Sequence, residues 1–308
     1  MAKIAFLFAG QGAQTVGMGK DLYETFPAAK SVFDAGEKIL NGVTDICFNA
    51  EKEVLNQTEN TQPCLFLTDL AIADTLLAAG ITPDAVAGFS LGEIPALSFA
   101  GVMSFEDAFK FVVVRGKAMA EASKKHPGAM VAALKLDAKT VEQTAAEFSE
   151  MWPVNYNCPG QIVCAGKSEQ ADEFAEAIKL AGGRAVKLPV SGAFHTPYME
   201  SVKPVLEKTL NNLSVNAPKT TVYANRTALP YPNVKSEIIS TLSSQVCNPV
   251  KWEQTIKNLQ NSGIDTFIEV GAGQTLTSLV KRTLTDVNVF TVNDAAGVNA
   301  VLQELKGE

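Results

Sequence analysis

Three short apolar runs in this chain each end in a glycine turn and lead into a helical pattern. That repetition restricts the fold more than any other feature. Ile4–Phe8 runs into Gly10-Gln11-Gly12, Ala85–Phe89 into Ser90-Leu91-Gly92, and Thr266–Val270 into Gly271-Ala272-Gly273. Continuous apolar runs bounded by turns mark strands buried on both faces, which means a parallel sheet covered by helices. The pattern predicts helices over Thr61–Ala79, starting near Pro63, and over Leu91–Ala100. Ser104, with Asp107 three residues on, reads as the cap of a helix running to Ala122, and a last strand is expected at Val287–Thr291.

The middle of the chain has a different rhythm. A strand at Ala129–Leu136 is followed by a helix at Ala138–Ser149, then strands at Val154–Tyr156 and Gln161–Ala165 on either side of Pro159-Gly160. A helix over Glu169–Ala181 ends at Gly182-Gly183, and a strand at Ala185–Val190 closes the unit. The order β-α-β-β-α-β is the ferredoxin-like one. The expected architecture is a large α/β unit of residues 1–127 and 191–308 with a small inserted lobe of residues 128–190. A chain of 308 residues can build one large core with such an attached lobe.

Composition excludes more than it indicates. A net charge of -7 disfavours general affinity for nucleic acid or acidic membranes. The one basic concentration is Lys124-Lys125-His126 with Lys117 and Arg115. Cys47, Cys64, Cys158, Cys164 and Cys247 form no C-x-x-C pair, so neither a zinc site nor a disulfide framework is suggested, and a reduced, cytoplasmic setting fits. The start reads as a buried first strand rather than a signal peptide, and no run approaches the ~20 apolar residues of a membrane span.

The glycine turns do not read as nucleotide sites. The third glycine of G-x-G-x-x-G is replaced by Thr15 after Gly10-Gln11-Gly12 and by Leu276 after Gly271-Ala272-Gly273. Gly88-Phe89-Ser90-Leu91-Gly92 is different. A G-x-S-x-G string between a strand and a helix makes a sharp turn that lifts a serine hydroxyl clear of the backbone. The hydroxyl then needs a base, and the chain has only two histidines. His126 lies in a polar hinge, Lys-Lys-His-Pro-Gly, whereas His195 lies in a loop of small residues after the lobe, which makes His195 the expected partner of Ser90. No Asp or Glu is assigned as a third member; a backbone carbonyl could orient the imidazole instead. The N–H of Leu91 is placed to donate to an oxyanion. Arg115 is the lone charge in Phe111–Gly116, so it either awaits an anion on a buried face, reaches the surface, or pairs with Glu93 or Asp107.

Five separated motifs carry a resemblance. Phe8–Gln14, Gly88–Glu93, Asn155–Gly166, Gly192–His195 and Asn248–Trp252 are similar, in order, to those of the malonyl-CoA:acyl-carrier-protein transacylases. The resemblance covers nearly the whole chain and implies an α/β-hydrolase-like body with a ferredoxin-like insert. It implies Ser90 as the acyl-carrying nucleophile and His195 as its acid and base. It also implies an oxyanion hole from the N–H groups of Gln11 and Leu91, and Arg115 as holder of the malonyl carboxylate. Gln245 matches the residue whose main-chain carbonyl accepts from the histidine ring, and Phe194 belongs to the Gly-Ala-Phe-His version associated with malonyl transfer. The implied partners are malonyl-CoA and acyl carrier protein, in fatty-acid or polyketide synthesis, with no cofactor and a monomeric chain. Lys124, Lys125, Lys187 and Lys251 are candidates for docking an acidic carrier. The alternatives are a serine thioesterase, which shares the turn but lets water deacylate it, and a non-catalytic docking module. One departure stands out: the family usually has His before the serine, and this chain has Phe89.

Overall fold

The computed structural model describes residues 2–190 and 192–307; Ser191, which opens the loop ahead of His195, lies outside them. Among the described residues the strands are β1 (Ile4–Phe8), β2 (Ala85–Gly88), β3 (Gly128–Leu134), β4 (Met151–Cys158), β5 (Gln161–Lys167), β6 (Arg184–Lys187), β7 (Thr221–Tyr223), β8 (Thr266–Val270) and β9 (Asn288–Val292). They form a parallel sheet, β7-β2-β1-β8-β9, and a separate antiparallel sheet, β4-β5-β3-β6.

The central strand shows why the apolar runs do not alternate. Phe6 and Phe8 enter a core with Phe66 and Phe109, while Ala5 and Leu7 enter a second core with Trp252 and Phe267. Both faces of β1 are covered, so every position must be apolar. Phe8 lies opposite Gly88 in β2 and Val270 in β8, so the three central strands finish level. The chain leaves β1 toward β2 and β7 and returns on the other side through β8 and β9. The connection after β1 runs toward β2 and the one after β8 toward β9, so the two part at the carboxyl end of the sheet, the end where open α/β sheets place their ligands.

Two long helices pack beside the turn that follows β2. Thr58–Ala78 starts three residues before the expected start, leaving Pro63 inside it rather than near its first turn, and it packs against Phe105–Lys125. The second helix begins as expected, with Ser104 Oγ accepting the Asp107 N–H at 3.1 Å. It runs past Ala122 to Lys125 and stops at His126, since the residue before Pro127 disfavours helix. The sequence pattern gave no helices between Gly12 and Thr61, where the chain forms Lys20–Thr25, Pro27–Ile39, Val43–Asn49 and Lys52–Leu55. Three of these span two turns or fewer, too short for the helical period to show.

The antiparallel sheet carries the helices Ala138–Ala146 and Ala171–Leu180, in the β-α-β-β-α-β order that the sequence predicted. It has its own core, including Val131, Ala133, Val141, Phe174 and Ile178. Pro127 and Gly192 pair in an antiparallel bridge, so the two crossings into and out of this region lie side by side. A second junction ties β4 to the segment at Val250 through Tyr156 N–H to Val250 C=O at 2.9 Å and Val250 N–H to Val154 C=O at 2.8 Å. No helix among the described residues is long and apolar enough to cross a membrane.

Candidate active site

Ser90 sits on the turn from β2 into the helix Glu93–Phe99, with φ at 51°. The flanking glycines are required by close approach: a Cβ on Gly88 would run into the Gly92 carbonyl, and one on Gly92 into the Phe8 carbonyl. The turn is thus pressed against the end of β1, and the serine side chain is what projects. Ser90 Oγ lies 2.8 Å from His195 Nε2.

His195 also has left-handed backbone, φ 63°, in a loop braced by Thr196, whose hydroxyl donates to Ala193 C=O at 2.6 Å. The imidazole is only 4% exposed. Its Nδ1 faces two carbonyl oxygens, Gln245 at 3.0 Å and Asn248 at 3.1 Å. Two acceptors on that side require Nδ1 to carry the proton, which leaves the Nε2 lone pair directed at the serine hydroxyl. Burial, and secondarily the Arg115 charge, push the imidazole down to about 4, against the pull of the two carbonyls. His195 is therefore neutral at pH 7 and able to accept a proton. The orienting acceptor left open by the sequence is a pair of main-chain carbonyls, not a carboxylate.

Arg115 is 1% exposed and does not belong to the surface concentration with Lys124 and Lys125 in which the sequence placed it. Its guanidinium donates to Gln62 Oε1 at 2.8 Å, Gln245 Oε1 at 2.9 Å and Ser90 Oγ at 3.3 Å. Among the described residues it forms no ion pair, and Asp107 instead accepts from the Ser214 N–H at 3.4 Å. Burial lowers its pKa to about 10, partly offset by the field of Glu93. A guanidinium desolvated among neutral amides still lacks the anion its charge calls for.

Gln245 contributes more than a carbonyl. Its side-chain Nε2 donates to the Ser90 C=O at 2.8 Å while Oε1 accepts from Arg115. Gln245 thus touches all three of Ser90, His195 and Arg115. Gln11 is half-buried with Nε2 on the Thr58 hydroxyl at 3.2 Å. Among the described residues the main-chain N–H groups of Gln11 and Leu91 have no acceptor within the protein. Phe194 is buried in the main core against Gly192. Phe89, the departure beside the serine, packs its ring edge-on to the buried Trp252 at 5.3 Å, in the second core.

Three participants escaped the sequence reading: Gln62, Asn225 and Glu93 as a working residue. Glu93 is fully buried and accepts from the Tyr231 hydroxyl and from the Asn225 N–H at 2.7 Å. Burial raises its pKa to about 7, opposed first by the Tyr231 and Asn225 hydrogen bonds. Gln62 and Asn225 lie in segments without a motif, so only the fold brings them to the serine. The lysines considered for docking are all exposed; Lys124 also pairs with Glu59 at 3.8 Å and Lys187 with Asp172.

A serine and a neutral histidine at the carboxyl end of a parallel sheet, with a buried cation beside them, define an α/β enzyme of acyl transfer. A sequence model of the acyl transferase domain matches residues 5–303. The malonyl CoA-acyl carrier protein transacylase of Bacillus subtilis is 39% identical over 314 aligned residues, covering 100% of this chain and 99% of that one. The crystal structure of the Clostridium perfringens malonyl CoA-acyl carrier protein transacylase superposes with a TM-score of 0.94 at 39% identity, covering 99% and 98% of the two chains. A malonyl transacylase solved in complex with its type II polyketide acyl carrier protein gives a TM-score of 0.94 at 33% identity, covering 98% and 100%. The chain belongs to the acyl transferase family, among the malonyl CoA-acyl carrier protein transacylases.

Proposed function

We infer that the protein moves a malonyl group from malonyl-CoA to the phosphopantetheine thiol of acyl carrier protein through a malonyl ester on Ser90. The observation that carries this reading is Arg115, a buried cation 3.3 Å from the serine hydroxyl and without an ion pair among the described residues. A hydrolase of neutral acyl groups has no use for it. An acyl group ending in a carboxylate does, because the planar fork takes a carboxylate through two hydrogen bonds. The names of the relatives support the same substrates.

Ser90 Oγ attacks the thioester carbonyl as its proton passes to His195 Nε2. The N–H groups of Gln11 and Leu91 receive the oxyanion, which a preorganised pair of donors stabilises where charge develops. The C–S bond breaks, the thiolate of coenzyme A takes the proton from His195, and the malonyl ester remains on Ser90. The carrier thiol then gives its proton to His195 and attacks the ester carbonyl; the bond from the acyl carbon to Ser90 Oγ breaks, His195 returns the proton to that oxygen, and the new thioester leaves. Arg115 holds the malonyl carboxylate through both halves, and Phe194 belongs to the wall that favours malonyl. The scheme asks nothing of a metal or organic cofactor. Every group in it comes from one chain, so a monomer suffices. The working division is a body of residues 1–127 and 191–308 and a lobe of residues 128–190. Lys124, Lys125, Lys187 and Lys251 are the exposed candidates for carrier docking. A cytoplasmic setting agrees with five unpaired cysteines.

Intact-protein mass spectrometry after exposure to malonyl-, methylmalonyl- and acetyl-CoA tests the first half. Malonyl mass should appear on the parent and vanish in Ser90→Ala. Adding carrier protein tests the second half. Label recovered as free malonate instead of malonyl-carrier would make the protein a thioesterase, and absence of any acyl mass would leave only a docking role.

A further inference from the structure

Asn225 follows β7 and is completely buried. Its Oδ1 accepts the Ser90 N–H at 2.6 Å, and its Nδ2 donates to the Gly88 C=O at 2.6 Å. One carboxamide therefore clasps the peptide groups on both sides of Phe89. The clasp is itself anchored. The Asn225 N–H donates to Glu93 at 2.7 Å, and its carbonyl accepts from the Lys251 N–H at 2.9 Å. Glu93 lies on the helix that starts just after Ser90, so a closed circuit runs from turn to helix to Asn225 and back to the turn.

The turn needs such a clasp. Ser90 holds φ at 51°, a left-handed backbone that disfavours every residue but glycine. Relaxation of that angle would swing Oγ away from the 2.8 Å contact with His195. Two hydrogen bonds of opposite polarity, made by one planar group, fit a single arrangement of the Gly88 carbonyl and the Ser90 N–H. The clasp also takes up the Ser90 N–H, leaving Gln11 and Leu91 as the donors for an oxyanion.

We propose that Asn225 is a positioning residue for the nucleophile, its carboxamide holding the turn so that Ser90 Oγ aims at His195, with Glu93 fixing Asn225 in turn. It acts through Ser90 and touches no substrate. The inference rests on Ser90 being the acylated residue.

Single-turnover malonyl loading separates this from a merely structural role. Asn225→Ala should lower the maximal loading rate about 100-fold, the scale of a small misplacement of a reacting atom, while the half-saturating malonyl-CoA concentration stays within about three-fold. Asn225→Asp supplies a second readout. A protonated carboxyl can accept from Ser90 and donate to Gly88 as the amide does, whereas a carboxylate cannot donate. The ratio of this variant's rate to the parent's should therefore rise about ten-fold as pH is lowered from about 8 to about 6. Glu93 accepts the Asn225 N–H and is itself bonded by Tyr231, while Arg115 and His195 meet the Ser90 hydroxyl; all are present in the parent, so the ratio isolates the introduced carboxyl. Loading by Asn225→Ala within three-fold of the parent, or a ratio for Asn225→Asp that ignores pH, overturns the proposal. Should Asn225→Ala fail to fold, the pH ratio decides alone. A parent that never takes up malonyl, or a Ser90→Ala variant that does, sinks the function instead.

Discussion

Two groups of buried polar side chains lie near the carboxyl ends of the parallel strands, and they are built in opposite ways. Beyond β2, Ser90, His195, Arg115, Gln245, Asn225 and Glu93 are cross-linked so that nearly every polar atom has a partner and several point at one hydroxyl. Beside β8, Glu269 accepts the N–H groups of Leu276 and Thr277 at 2.9 and 2.6 Å, but its neighbour Asp69 has two buried oxygens without a hydrogen-bond partner among the described residues. Burial shifts pKa values in both groups: Glu93 up, His195 and Arg115 down, Asp69 well up. A perturbed carboxyl is therefore no sign of a site by itself. What distinguishes the first group is convergence on an atom able to react.

The largest effect should come from His195→Ala, which removes the one base in reach of Ser90 and lowers malonyl loading by about 10³–10⁴-fold. The same residue sharpens the comparison through pH. Its folded pKa of about 4 lies below the ordinary histidine value, so the unfolded chain binds the proton first as pH falls. The stability supplied by the neutral imidazole is full above about 6.5 and drains away as pH falls toward about 4. With only two histidines in the chain, the His195 ring resonance is readily followed. It should hold still down to about pH 5 and move only below that; a midpoint near about 6.5 would mean a solvated imidazole and a different site.

Arg115→Ala should follow in size. Removing the guanidinium takes away the anchor for a carboxylate but leaves the Ser90–His195 pair, so the preference for malonyl over acetyl should fall about 100-fold or more. Competition between malonyl-CoA and acetyl-CoA, read by mass, measures that ratio. An unchanged preference would return Arg115 to a packing role beside Gln62 and Gln245.

These two residues also mark where the sequence could be read. Ser90 announces itself through a glycine-flanked turn that sterics demand, and scarcity of histidine selects His195. Arg115 stands out as one charge in an apolar stretch, yet its burial was not legible, since helical period alone does not say which face meets the sheet. Asn225 had no signal, because its role exists only when β7 pairs beside β2, far away in sequence. The helix Thr58–Ala78 was half legible: Pro63 looked like a start, but an apolar surface on all sides supplies the packing that keeps it inside.

The second group yields a smaller and opposite effect. Burial, and secondarily the field of Glu269, push the Asp69 carboxyl well up, so folding loses stability as pH rises from the unfolded carboxyl value toward the raised one. Asp69→Asn has nearly the same shape, which matters because a Cβ on Gly271 would already strike the Asp69 carboxyl. The variant should gain stability relative to the parent in urea unfolding at about pH 8 and lose most of that advantage at about pH 5, with malonyl loading unchanged. A variant that loses activity would join the two groups into one site and break the comparison.

The smallest effect is expected from Phe89→His, although this is the position where the chain departs from the pattern that it otherwise resembles. The Phe89 ring packs on Trp252 in the second core, while the Ser90 hydroxyl faces His195 and Arg115. What the reacting turn takes from residue 89 is its main chain, since the Phe89 N–H bonds the Phe8 carbonyl at 3.0 Å and its own carbonyl accepts from Gly92 at 2.9 Å. A histidine keeps both bonds. Its ring could also offer an acceptor to the Trp252 Nε1, which is buried without a partner among the described residues. The loading rate should therefore stay within about three-fold of the parent, and stability should change by about 1 kcal/mol or less, as apolar burial lost is offset by a hydrogen bond gained. A larger fall in loading would mean that the residue beside the nucleophile reaches the acyl group, and that the boundary between packing and chemistry at this turn lies one residue earlier than its contacts indicate.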